Sequence, residues 1–208
     1  MDNGFETLND LEYLSLMLSI TEVSYDAEKI AENLLDIFSN IGDIFSAPKK
    51  LLCEIPGVCE ETAFKLNCFG HAAERKLRSQ IVSKPVLGNW RALTEYFHAS
   101  MAYRGQEHLR VLFLNKRNVL IRDELLQTGT VDHTPVYPRE IMRRALELCA
   151  TAIILVHNHP SGDPTPSRQD IDMTRTVVSI ANSLGIEVHD HVVVGRHGHV
   201  SFKALRLL

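Results

Sequence analysis

The sequence contains no uninterrupted apolar run near the roughly 20 residues that a membrane-spanning helix requires, and so predicts none. Its opening stretch, MDNGFETLND, has neither the basic start nor the apolar centre of a secretory leader, which predicts a cytoplasmic protein. Cysteine is scarce. Cys53, Cys59, Cys68 and Cys149 are the four present, and no pair has C-x-x-C spacing. That argues against a cysteine-built zinc site, and a reducing compartment argues against disulfides. Internal repeats and low-complexity segments are absent too. Positive charge is short where nucleic acid would need it: residues 1–80 carry a net −7 and the remainder a net +3. An acidic N-terminal part attracts phosphates poorly.

What remains is an ordinary globular composition, 45% apolar and 23% charged over 208 residues. That length suits one large domain or two small ones. Residues 79–88, SQIVSKPVLG, lose helical periodicity around Pro85 and Gly88 and read as a linker. The predicted division is a helical domain over 1–82 and a second domain over 83–208.

In the first domain, Leu8, Leu11, Leu14, Leu16 and Leu18 give a rough helical face, and Thr21 to Tyr25 breaks it. Residues 26–39 form a clearer amphipathic helix, with Asp26 as cap and Ile30, Leu34, Leu35 and Phe38 on one face. Residues 40–47 read as a loop and short turn, 48–55 as a short helix, and 60–78 as a longer one. The join, Ile55-Pro56-Gly57-Val58, resembles a helix-hairpin-helix. Such hairpins use two glycines to bring backbone N–H groups to a phosphate. Here Cys59 takes the second glycine position, followed by Glu60 and Glu61. Lys65 and the Arg75-Lys76-Arg78 cluster are the local compensation, so only a weak DNA contact is expected. A structural or protein-binding role suits the element better.

In the second domain, Asn89 caps a helix running to about Gly105, with Leu93, Phe97 and Met101 at spacing four. Leu109–Leu114 and Val119–Leu126 read as a hairpin about Lys116-Arg117-Asn118. Pro138 starts a helix over 138–149. A buried strand, Ile153 to Val156, follows, then a helix ending before Gly185, a strand over 186–194, and a last short strand over 200–202. Alternating strands and helices predict an α/β domain with a mixed sheet flanked by helices, beside a small all-α N-terminal domain.

The informative stretch is ATAIILVHNHPSGDPTPSRQDIDMT, residues 150–174. Its strand ends in His157-Asn158-His159. Residues two apart on a strand face the same side, so both imidazoles can reach one point while Asn158 turns away. Pro160 to Pro166 must turn. Ser167 then opens a helix and places Asp170 in its first turn. Ser-x-x-Asp is also a capping box, so a purely local reading exists. Two imidazoles and a carboxylate nevertheless suit zinc, and three protein ligands leave a fourth position for water.

His157, His159, Ser167 and Asp170 match the JAMM motif of MPN-type metalloproteins. VHNHPSGDPTPS, with Gly129-Thr130-Val131 upstream and Asp190-His191 downstream, resembles the RadC family in particular. The resemblance covers roughly residues 85 to 205. It implies a JAMM/MPN-like mixed sheet with cytidine-deaminase-like layering, and Zn2+ held by His157, His159 and Asp170. It also implies a general base at the start of the strand after the first helix of the domain. That position is Glu107, with Glu124 in the neighbouring strand as competitor. Ser167 would hydrogen-bond the developing oxyanion. Asp190 and His191 would support or pack against the ligands, and Asp163 would shape the loop or act as an alternative acid. The expected activity is JAMM-type hydrolysis of a protein or peptide substrate, at a main-chain or isopeptide bond. The alternatives are a DNA-repair or nucleic-acid-processing factor, which the RadC resemblance also suggests, and an interaction scaffold with an idle site.

Overall fold

The computed structural model describes residues 7–20, 26–38, 40–82, 84–128 and 137–208. Gly129-Thr130-Val131, Thr21 to Tyr25 and the approach to Tyr137 lie outside them. No helix among the described residues is long and apolar enough to cross a membrane. The chain clusters into two compact units, residues 1–73 and 74–208.

The first unit is helical: α1 Asp10–Ile20, α2 Ala27–Ile37, α3 Ile41–Ser46, α4 Lys49–Leu52 and the start of α5 Glu60–Ile81. Of the leucines in α1, only Leu14 and Leu18, one turn apart, are fully buried; Leu16 points outward. They pack with Ile30, Ala31, Leu34, Ile44, Leu52 and Leu66. A capping box starts α1: the Asn9 side chain accepts from the Glu12 N–H and Glu12 accepts from the Asn9 N–H, both at 2.9 Å. Residues 41–46 are a helix where the sequence reads as loop. Asn40 explains it, because its side chain accepts from the Asp43 N–H at 3.0 Å and satisfies an otherwise orphaned donor. Gly57 joins α4 to α5 with φ of +89°, and a Cβ there would sit 2.7 Å from Ile30 Cγ1.

The second unit is a five-stranded mixed sheet with helices on both faces. A 3-10 turn at Val86–Asn89 leads into α6 Trp90–Met101. Asn89 makes no side-chain cap, because this turn already supplies the helix entry. Then follow β1 His108–Leu114, β2 Leu120–Thr128, α7 Pro138–Glu147, β3 Ala152–Asn158, α8 Arg168–Ser183, β4 Glu187–Gly195 and β5 Gly198–Ser201. The strand order is β2-β1-β3-β4-β5, with β3 and β4 parallel through α8 and all other pairs antiparallel.

Every residue of β3 is buried, which is why it reads as a continuous apolar run. Ile154 and Val156 face α6 with Leu93, Phe97, Leu112 and Val192. Ile153 and Leu155 face α7 and α8 with Val111, Ile141, Val177 and Ala181. By the same alternation His157 emerges on the α8 side. α8 therefore delivers its first turn to the end of β3.

A polar strut ties α6 to the β1–β2 hairpin. Tyr96 donates to Asp123 Oδ2 at 2.5 Å, and Arg110 donates to both Asp123 oxygens at 3.0 and 3.1 Å. The Asp123 side chain is fully buried. Breaking a buried pair by removing one partner strands the other charge. Asp123→Ala is expected to cost about 3–5 kcal/mol in chemical denaturation. A loss under about 1 kcal/mol would show that the pair behaves as a surface contact.

Candidate metal centre

Leu109 pairs with His157 across β1 and β3, and His157 pairs with Val193 across β3 and β4. The strand is thus held on both sides where its histidines begin. His159 lies just beyond it, its N–H donating to the Val194 carbonyl at 3.0 Å. The loop that follows is lashed to the turn after β4: the Arg196 N–H donates to Gly162 O at 3.1 Å, and the Arg196 guanidinium to Pro160 O at 3.3 Å. Gly195 permits this approach, because a Cβ there would stand 2.2 Å from Gly162 O.

Asp170 arrives from α8. Ser167 Oγ accepts from the Asp170 N–H at 3.1 Å, and Asp170 Oδ2 accepts from the Ser167 N–H at 2.7 Å. The capping box and the ligand reading therefore coexist. The cap aims the carboxylate, whose two oxygens lie 3.4 Å from His157 Nε2 and from His159 Nε2. The two Nε2 atoms are 2.9 Å apart. Among the described residues, His157, His159 and Asp170 form a group whose ligand atoms all lie within 4.8 Å of one another.

The opposite ring nitrogens are committed elsewhere. His159 Nδ1 is 2.8 Å from the Asp163 carbonyl, which can only accept, so this nitrogen carries the proton. His157 Nδ1 is 2.7 Å from His191 Nε2. His191 is fully buried, stacked on Phe202 at 4.5 Å, with its Nδ1 2.6 Å from Thr174 Oγ1. With Nδ1 the donor, a neutral His159 turns its Nε2 lone pair toward His157 and Asp170. This convergence of two imidazoles and a carboxylate suits a cation. Two imidazole nitrogens and one carboxylate oxygen, without thiolate, fit a borderline divalent metal.

Electrostatics agree. Burial opposes ionisation of Asp170, but hydrogen bonds with His157 and His159 outweigh it and hold the carboxyl far below the usual range. The hydrogen bond to Asp170 raises the His159 pKa, against burial, with smaller help from Asp163 and Glu107. Burial pushes His191 well below the ordinary imidazole value.

Glu107 is exposed and stands immediately before β1, beside the ligand end of β3. Asn158 fixes that segment from the side opposite the ligands. Its Oδ1 accepts from the His108 N–H at 2.9 Å, and its Nδ2 donates to Gln106 O at 3.1 Å and Arg104 O at 3.4 Å. Glu124 is placed differently. It lies on β2 opposite Val111, with β1 between it and β3, and Arg144 of α7 donates to it at 2.8 Å. That bond lowers its pKa and makes it a strut. Asp163 uses its carboxylate to accept from the Thr165 N–H and hydroxyl at 2.9 and 2.7 Å, so it shapes the loop while its carbonyl orients His159. Asp190 pins the C-terminal turn, accepting from Ser201 Oγ at 2.5 Å and the Lys203 N–H at 3.0 Å.

The RadC family model, described as a RadC-like JAB domain, matches residues 87–207. The chain belongs to this family. Within this RadC-like JAB domain, sequence reading missed Thr174 and the tether made by Asn158. A hydroxyl one helical turn after Asp170 was the available signal for the first. For the second, alternation shows only that Asn158 faces away from the ligands.

Metal and proton compete for the same imidazole nitrogens. Because Asp170 favours the protonated form of His159, metal affinity is expected to weaken on acidification from above the ordinary histidine value of 6.5. Affinity titrations against pH check this. A pH-independent affinity between pH 5 and 8 would contradict a site built on His159.

Proposed function

We propose that this RadC-like JAB domain is a zinc-dependent hydrolase that cleaves amide bonds, main-chain or isopeptide, in a protein or peptide substrate. The observation that carries the reading is the convergence of His157 Nε2, His159 Nε2 and an Asp170 oxygen, with His159 Nδ1 committed to a carbonyl. Zinc is the natural occupant of an open set of two imidazoles and one carboxylate. When bound, it would supply Lewis-acid polarisation of the substrate carbonyl and of a water molecule.

The protein's own groups do the rest. Glu107, exposed and held at the ligand end of β3, takes the proton from the attacking water and later passes it to the departing amine nitrogen. Water oxygen bonds to the carbonyl carbon as the C–N bond breaks, and the proton balance closes on Glu107. Ser167 uses its Oγ lone pair for the helix cap, so its O–H proton is available to the carbonyl oxygen as negative charge builds there. Asn158 holds residues 104–108 and so keeps the base in reach. All four cysteines are free thiols, which suits a cytoplasmic protein.

A nucleic-acid role draws less support. On the helices flanking the Pro56-Gly57 turn, Lys65 pairs with Glu61 at 2.6 Å and Lys49 with Glu60 at 2.9 Å, so these cations already face carboxylates. Steeply salt-dependent DNA binding would restore that reading.

Glu107→Gln is the decisive variant. Against a panel of fluorogenic peptide and isopeptide-linked substrates, it is expected to lower turnover by about 10²–10⁴-fold. Its bound zinc, measured by elemental analysis, should stay at the parent value. Parent-like turnover would exclude Glu107 as the base.

A further inference from the structure

The geometry points to a positioning role for Thr174 and His191. We propose that they hold His157 in its metal-binding tautomer through a one-way chain of hydrogen bonds starting at the Asp170 main-chain carbonyl. This rests on the metal-centre reading above and extends it to residues outside the ligand set.

The direction of every bond follows from one group that cannot donate. The Asp170 carbonyl lies 2.5 Å from Thr174 Oγ1. A carbonyl has no proton, so the Thr174 hydroxyl donates its only one there. Toward His191 Nδ1, 2.6 Å away, Thr174 can then only accept. His191 Nδ1 therefore carries the proton. The ring is fully buried, and its nitrogens meet an imidazole and a hydroxyl rather than a carboxylate. A buried cation without a carboxylate partner is strongly disfavoured. The neutral ring presents a lone pair at Nε2, and His157 Nδ1, 2.7 Å away, must donate to it. With its proton on Nδ1, neutral His157 turns its Nε2 lone pair toward His159 and Asp170.

The chain begins and ends at Asp170. Its carbonyl starts the polarity and its carboxylate sits at the point to which that polarity is delivered. Helical spacing makes this possible, because Thr174 lies one turn after Asp170 and a threonine hydroxyl readily reaches the carbonyl four residues back. His159 reaches the same state by a shorter route, directly through the Asp163 carbonyl. Ligating histidines generally need such an outer partner. Here the partner is a second histidine whose own direction is set by a hydroxyl.

Loss of the hydroxyl frees His191 to place its proton on Nε2. It would then donate to His157 Nδ1, and the His157 proton would stand on Nε2, where the metal binds. The test compares Thr174→Val, which keeps the shape without the hydroxyl, with Thr174→Ser, which keeps the hydroxyl. His191→Phe interrupts the chain at its middle while retaining an aromatic ring against Phe202. Long-range 1H–15N correlation on histidine-labelled, metal-free protein reads the tautomers directly. Competition with a chromophoric chelator reads zinc affinity.

The parent and Thr174→Ser are expected to show His157 protonated on Nδ1. Thr174→Val and His191→Phe are expected to lose that tautomer and about 10–100-fold in zinc affinity. An unchanged His157 tautomer and parent-like affinity in Thr174→Val would overturn the proposal. If Thr174→Val does not fold, the same outcome in His191→Phe overturns it. A parent that shows the stated tautomers yet binds no zinc would sink the hydrolase reading and leave the hydrogen-bond chain standing.

Discussion

Two imidazole nitrogens lie 2.9 Å apart with a carboxylate 3.4 Å from each, an arrangement that a shared cation, proton or metal, stabilises. They stay together because each arrives from an element that cannot move independently. His157 ends a strand buried on both faces and paired on both edges. Asp170 is locked by the cap of α8. His159 is gripped through its backbone by Val194 and through its ring by Asp163. The apolar packing on the two faces of the sheet is what makes these anchors rigid.

The same economy explains why residues do two things. Ser167 starts a helix and, through the same cap, aims the Asp170 carboxylate. Asp163 turns the loop with its carboxylate and sets a tautomer with its carbonyl. Asn158, wedged between two ligands in sequence, points the other way and holds the segment carrying Glu107. Strand alternation makes this last division of labour natural, since neighbours on a strand serve opposite faces.

Much of this was legible in the sequence, for reasons that can be named. The H-x-H strand end, the turn-rich loop and Ser-x-x-Asp are local patterns, and local patterns survive without tertiary information. The alternation of β3 and the C-terminal Gly185 of α8 belong to the same class. The helix at Ile41–Ser46 was not legible, because Asn40 is a cap only once the helix exists. The sequence favoured Glu107 over Glu124 by its place at the start of β1, but the Arg144 ion pair on Glu124 depends on tertiary contact and could not be read there. Thr174 and His191 are seventeen residues apart and meet only because β4 lies beside β3 under α8. No period or spacing in one chain announces such a contact.

X-ray absorption on the zinc-loaded protein distinguishes an open centre of two histidines and one carboxylate from any other site. Light-atom ligands at about 2.0–2.2 Å are expected, with multiple scattering from two imidazoles and no sulfur shell. A sulfur shell at about 2.3 Å, or the absence of imidazole scattering, would place the metal elsewhere and exclude a centre at His157, His159 and Asp170.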